Sequence, residues 1–358
     1  MGKFILENRE YSFEEIKNGN WKESDHYFHQ TFTFCQQWLK GKETFSIATS
    51  GSTGVPKSIS IHRSQMKASA ETTGKYFKIE HDSKLLCCLN TWMIAGKMML
   101  VRGMEWNATV YLVKANSDPL HDDFLKFPLD FVAMVPLQVR ASLDKVEGQV
   151  KLKQIKTLII GGAPINQKLK DDIKSSNLNA FQTYGMTETV SHIALADLRN
   201  EDLIYITLPE VQIGLDKENK LWIKAPMSAN QVVQTNDLVE ILNKSQFKWL
   251  GRADFVINSA GVKVYPEQVE EKIQEPIQKQ FGDTNFFIAG IPDEKFGQKV
   301  SLLLEIAEPE NFDPESFNQE LRKYINRFHV PRKYFFLKDF IYTKSGKINR
   351  PETLNKIL

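Results

Sequence analysis

Between residues 62 and 184, short apolar runs alternate with stretches of helical periodicity, and this pattern restricts the possible folds more than any other feature of the chain. The runs at 84–89, 109–113, 130–135, 156–160 and 180–184 read as strands, and 62–77, 137–146 and 166–175 read as helices. Such alternation predicts an α/β architecture, a mostly parallel sheet covered by helices. In open sheets of this kind ligands bind beyond the carboxyl ends of the strands, where loops gather. Upstream, 24–41 reads as an amphipathic helix with Phe28, Phe32, Cys35 and Leu39 on one face, Ser24 as its cap and Gly41 as its terminator.

After about Ala194 the texture changes. The segments 205–213, 220–225, 237–242 and 246–250 read as strands joined by polar turns, an antiparallel section after the α/β part. From Gly251 it changes again: a helix after Pro266, strands near 285–291 and 300–306, and a helix over 314–328 predict a small α+β domain. The expected boundary lies at Gly251-Arg252-Ala253-Asp254, giving a large domain over 1–252 and a small C-terminal one over 253–358. A chain of 358 residues has room for both.

The net charge of +2, without a basic tract, gives no reason to expect a nucleic-acid partner. Cys35, Cys87 and Cys88 make an odd total with neither a disulfide framework nor metal spacing, which fits a reducing compartment. The first eleven residues carry Lys3, Glu7, Arg9 and Glu10 without an apolar core, and Leu6 stands where N-myristoylation needs Ser or Thr. No apolar run reaches membrane-spanning length, so a cytoplasmic protein without membrane insertion is expected.

The chemistry concentrates first in Thr49-Ser50-Gly51-Ser52-Thr53-Gly54-Val55-Pro56-Lys57, between the alternating Phe45 and Ile47 and an expected helix. Gly51 and Gly54 let backbone N–H groups turn inward, the hydroxyls add donors and Lys57 adds a charge, a composition suited to phosphate oxygens. It is a poor Walker A loop, because Pro56 stands where the second glycine belongs and has no N–H.

Four further clusters follow. Gly161-Gly162-Ala163-Pro164 ends an apolar run and would bring bare backbone against a flat ligand. Tyr184-Gly185-Met186-Thr187-Glu188-Thr189 offers a ring, a hydroxyl and a carboxylate able to hold Mg²⁺. Thr235-Asn236-Asp237 offers a carboxylate at a strand edge for two ribose hydroxyls. Thr343-Lys344-Ser345-Gly346-Lys347 presents a lysine on a Ser-Gly turn that a small domain can carry to a distant site. Taken singly, each also reads as an ordinary turn, cap or solvated side chain.

In this order and spacing the clusters resemble the acyl-adenylate-forming superfamily of acyl- and aryl-CoA ligases, luciferase and peptide-synthetase adenylation domains. The resemblance spans Thr49 to Arg350. It implies that Thr49 to Lys57 bind phosphate, Gly161 to Pro164 line the adenine and Tyr184 stacks on it, with Gly185 in the same nucleotide site. Thr187 would donate to the α-phosphate, Glu188 would hold Mg²⁺, and Asp237 would bind the ribose with Arg252 nearby. It further implies a hinge at Asp254, about which the small domain swaps Lys347, the adenylation lysine, for residues 258–265 with Gly261 and Lys263. Two half-reactions follow from it: ATP and a small-molecule carboxylic acid give an acyl-adenylate, and coenzyme A then takes the acyl group. Members of the superfamily carry a longer segment before the phosphate loop than the 48 residues here. This implies a reduced large domain and leaves open a homo-oligomer covering the exposed surface. Ile341 replaces a proline usual in the last motif, a minor departure.

Trp92 and Met93 replace an aromatic-His pair where the superfamily builds its acyl pocket. Lys97 and Arg102 follow on an expected helix; Lys97 is balanced between pocket and solvent, and Arg102 reads as solvated or paired with an acid outside the pocket. With Ser191 and His192, this segment resembles the short o-succinylbenzoate–CoA ligases, whose substrate has a second carboxylate that Lys97 or His192 would suit. His192 reads equally as a core histidine. The alternatives are a ligase for another aryl or acyl acid, an enzyme that loads a carrier protein, or a nucleotide-binding homologue without catalysis.

Overall fold

The structure is a computed structural model and describes residues 2–48, 58–163, 165–343 and 348–358. Its centre is a 13-stranded sheet that contains both the parallel and the antiparallel sections. The parallel half runs Lys3–Leu6, Thr109–Leu112, Lys84–Cys87, Phe131–Met134, Leu158–Ile160 and Ala180–Gly185. At Ala180–Gly185 the direction turns: His192–Asp197, Ile204–Thr207, Gln246–Arg252, Val232–Asn243, Lys220–Lys224 and Gln212–Leu215 continue antiparallel. The expected α/β class with an antiparallel section is borne out.

The parallel strands are apolar on both faces because helices cover both sides. Leu85 and Cys87 enter one core cluster, while Leu86 and Cys88 enter the other. All three cysteines are buried free thiols; burial raises the Cys87 thiol to about 12, so it stays protonated. A second sheet, built from Ile257–Ser259, Val262–Val264, Phe286–Asp293, Gly297–Leu304 and Lys333–Phe336, has core clusters of its own, drawn from residues after Ile257.

Several expectations needed correction. The helix predicted over 24–41 is His26–Leu39; Asp25, not Ser24, caps it, its carboxylate accepting from the amides of Tyr27 (2.8 Å) and Phe28 (3.3 Å). The helix predicted over 137–146 is Pro136–Leu143, followed by a second helix, Val146–Lys153. The strand predicted over 205–213 is two, Ile204–Thr207 and Gln212–Leu215, separated around Pro209 with Glu210 at φ +66°. The last long helix stops at Leu321. Residues Thr44–Ala48 and Ser58–His62 pair as a hairpin, so a strand, not a helix, follows the glycine-hydroxyl segment. Residues 49–57 themselves lie outside the described residues, as do Pro164 and Lys344 to Lys347.

Candidate active site

Where the parallel section meets the antiparallel one, residues far apart in sequence converge. Tyr184 is the penultimate residue of the strand Ala180–Gly185, and its phenol O–H donates to Asp237 Oδ2 at 2.6 Å. Asp237 lies on Val232–Asn243, and its cross-strand partner is Arg252. The Arg252 guanidinium donates through Nη2 to Asp254 Oδ2 at 2.7 Å, and the Asn236 amide reaches the same oxygen at 3.4 Å. Burial and the Asp237 carboxylate hold the Tyr184 phenol far above its ordinary range, so it remains a donor. Burial works against the Arg252 charge, but Asp254 and Asp237 outweigh it and the net shift is upward. Asp237 sits on an internal strand and is buried, not at a strand edge as expected.

After Tyr184 the backbone enters the short 3₁₀ turn Thr187–Thr189, with Thr187 half-buried and Glu188 exposed. Gly185 is required here by close approach: a Cβ would stand 2.3 Å from Ser191 O and 2.5 Å from His192 Cα. The turn closes through Ser191 N–H to Thr189 O (2.6 Å), with Val190 between them at φ +64°, ψ −47°. A β-branched residue in this γ-turn geometry is strained, at a cost of order 1–3 kcal/mol that its surroundings must offset. Gly161 is similarly constrained, a Cβ falling 2.1 Å from Thr183 Oγ1, and Gly162 adopts φ +86°. Gly162 and Ala163 are exposed.

Lys97 lies one turn into the helix Ile94–Glu105, and Trp92 and Met93, both exposed, precede that helix. The Lys97 ammonium donates to Thr91 O (2.7 Å) and Trp92 O (3.1 Å) and sits 5.3 Å from the Phe34 ring centroid. Burial lowers its pKa. It faces a cleft of about 510 Å³ whose walls include His26, Phe34, Phe45 and Ser46.

In this region the structure decides between the two readings of His192 in favour of the core histidine, and the expectation for Arg102 fails. His192 is buried and hydrogen-bonds through its two ring nitrogens to Arg102 Nη2 (3.4 Å) and Thr73 Oγ1 (3.2 Å). Burial and the neighbouring guanidinium push its pKa well down and keep it neutral, so it is not a cationic anchor. Arg102 is not solvated, and among the described residues no acid pairs with it: it is 2% exposed, and Nη2 donates to Ser191 Oγ at 3.0 Å. Among the described residues no hydrogen bond joins Lys97 to this cluster. The sequence reading missed the cleft wall at Phe34 and Phe45 and the partner Thr73. A cation inside the apolar run from Met98 to Met104 was the available signal for Arg102.

Among the described residues no group of three or more His, Cys, Asp or Glu side chains gathers as a metal cage. Glu188 offers a lone exposed carboxylate, which suits Mg²⁺ because that ion completes its octahedron with water and substrate phosphates.

Residues 10–219 match the model of the AMP-binding enzyme family, well over half of the chain. The solved structure of an acyl-CoA synthetase (AMP-forming)/AMP-acid ligase II-like protein from Dyadobacter fermentans is 38% identical, with 96% of this chain and 97% of that one covered and a TM-score of 0.64. This chain belongs to the AMP-binding enzyme family, and with it to the AMP-forming ligases. Among curated relatives it is similar to the 2-succinylbenzoate–CoA ligases of Staphylococcus epidermidis and Bacillus cereus. The first is 24% identical over 87% of this chain and 69% of the relative; the second is 24% identical over 96% and 74%. The o-succinylbenzoate CoA synthetase of Bacillus subtilis in complex with the acyl-adenylate intermediate shares the fold at a TM-score of 0.72 and 21% identity, with 86% of this chain and 68% of that one covered. No described helix is long and apolar enough to cross a membrane.

Proposed function

We propose that this chain activates a carboxylic acid with ATP and transfers the acyl group to coenzyme A, the acid being 2-succinylbenzoate in menaquinone biosynthesis. The observation that carries the reading is the Tyr184–Asp237–Arg252–Asp254 contact chain beside the Thr187–Thr189 turn. It brings the residues that would bind adenosine and form the hinge together from Ala180–Gly185, Val232–Asn243, the end of Gln246–Arg252 and the turn that follows it.

In the first half-reaction a carboxylate oxygen attacks the α-phosphorus of ATP and pyrophosphate leaves. In the second the thiol sulfur attacks the acyl carbonyl and AMP leaves. The protein supplies positioning and charge more than covalent chemistry. Thr49 to Lys57 and Thr187 hold phosphate, Gly161 to Pro164 flank the base, and Asp237 takes the ribose. Glu188 would hold Mg²⁺, which when bound would neutralise phosphate charge. Lys347 bridges the carboxylate and the α-phosphate before the unit after Arg252 turns about Asp254. The separate core of that unit supports such a division.

2-Succinylbenzoate has an aliphatic carboxylate to activate and an aromatic one to recognise. Lys97, in a cleft that Phe34 and Phe45 help to wall, is a cation suited to the second, and Lys42 lines the same cleft. Pyrophosphate release across a panel of acids tests both ideas. We expect 2-succinylbenzoate to outrun benzoate and fatty acids, and Lys97→Met to raise its KM by about 10- to 100-fold, the loss of one charged hydrogen bond, while benzoate responds little. Preference for a monocarboxylate would replace the named acid without touching the ligase chemistry.

A further inference from the structure

We propose that Arg102 is a positioning residue for adenylation: from beneath the sheet it holds the strained turn that carries Thr187 and Glu188, without touching substrate. The inference rests on the reading of those two residues given above.

Arg102 is a buried cation with an unusual set of partners. Nη2 reaches Ser191 Oγ (3.0 Å) and His192 Nδ1 (3.4 Å), Nη1 reaches Met99 Sδ (3.7 Å), and the Phe131 ring lies 5.8 Å away. Its Nε–H is buried without an acceptor among the described residues. A guanidinium left this poorly compensated destabilises its surroundings, and a core of Met and Phe would accept an apolar side chain more readily. A cation at this position therefore points away from stability and toward what it grips.

What it grips is the exit of the γ-turn at Val190. Ser191 and His192 are the next two residues, and from the other side the Thr189 hydroxyl accepts from Met186 N–H (3.2 Å) and donates its one proton to Ser191 O (2.9 Å), the shorter of its two carbonyl contacts. The turn is thus tied at both ends while its middle residue holds φ +64°. The hydrogen-bond directions are determined as well. The Thr73 hydroxyl donates its single proton to Ser69 O (2.8 Å), so toward His192 it accepts. His192 therefore carries its proton on Nε2 and offers a bare Nδ1 to Arg102. A fixed tautomer joins the helix Arg63–Phe77, the strand His192–Asp197 and the helix Ile94–Glu105 into one support. Relaxation of that support would let Thr187 and Glu188 drift, and a displacement near 1 Å suffices to lose about 10²-fold in rate.

The test uses the full chain with 2-succinylbenzoate, Arg102→Met and Arg102→Lys, and labelled pyrophosphate exchange into ATP. We expect Arg102→Met to lower kcat for exchange at least tenfold, leave KM for the acid within twofold, and keep or raise Tm. Arg102→Lys should recover part of the rate. The ¹⁵N resonances of His192 should report one Nε2–H tautomer in the parent and a mixture in Arg102→Met. A parallel fall of Tm and kcat would make Arg102 merely structural, and a KM change for the acid with kcat intact would make it a substrate contact. Unchanged kcat would remove the role altogether. If the parent exchanges no pyrophosphate with any acid of the panel, the ligase reading fails first and this inference with it.

Discussion

Lys347→Ala is expected to lower pyrophosphate exchange into ATP by about 10²–10³-fold while thioester formation from supplied acyl-adenylate continues near the parent rate. Charge collapses onto the α-phosphate and its bridging oxygens only in the first half-reaction, so an ammonium aimed there contributes only there. Lys347 lies outside the described residues, but its flanks are well tied. Tyr342 and Ile348 form a bridge, Asn349 N–H donates to Ile341 O at 2.7 Å, and Asn349 caps the helix Arg350–Leu354. Alanine should therefore leave the fold alone, which a thermal melt checks. Equal loss of both half-reactions in a folded variant would refute the proposed division of labour between two orientations of the small unit.

The second large effect is expected from a single methyl group. Gly185→Ala would place a Cβ 2.3 Å from Ser191 O and 2.8 Å from its carbonyl carbon, both backbone atoms. Neither can swing aside as a side-chain tip would, so the turn from Met186 to Ser191 must shift bodily. We expect at least a 10²-fold loss of adenylation through misplaced Thr187 and Glu188. Pyrophosphate exchange and a circular-dichroism melt, run together, check it: near-parent exchange would mean that the turn adapts and the close approach is dispensable.

The parallel core was legible because its strands are short, apolar on both faces and separated by helical periods. Lys3–Leu6 was not, since its partner Thr109–Leu112 lies more than a hundred positions on, and four residues beside charges carry little pattern. Pro209 announced the break between Ile204–Thr207 and Gln212–Leu215, yet the apolar run around it read as continuous. The site divides in the same way. Residues that cluster along the chain, such as Tyr184 to Thr189, stood out from composition. The meeting of Tyr184 with Asp237 and Arg252 depends on the register of strands over fifty residues apart and was reached only through family resemblance. His192 was left open between anchor and core, and Arg102 was misjudged because its burial depends on how deeply its helix is packed. Met98 to Val101 are buried all round the helix, and Arg102 continues inward with them.

The hairpin Lys3–Leu6 and Arg9–Ser12 closes one border of the large sheet, sending Phe4 and Leu6 to one core and Ile5 to the other. Its outer strand bears Arg9 and Glu10, charges that discourage another chain from docking there. Beginning an expression clone after this hairpin would bare the apolar Thr109–Leu112 strand along its hydrogen-bonding side, and self-association through that margin is the expected result. Fusion partners therefore belong upstream of Lys3, with both rungs of the ladder kept.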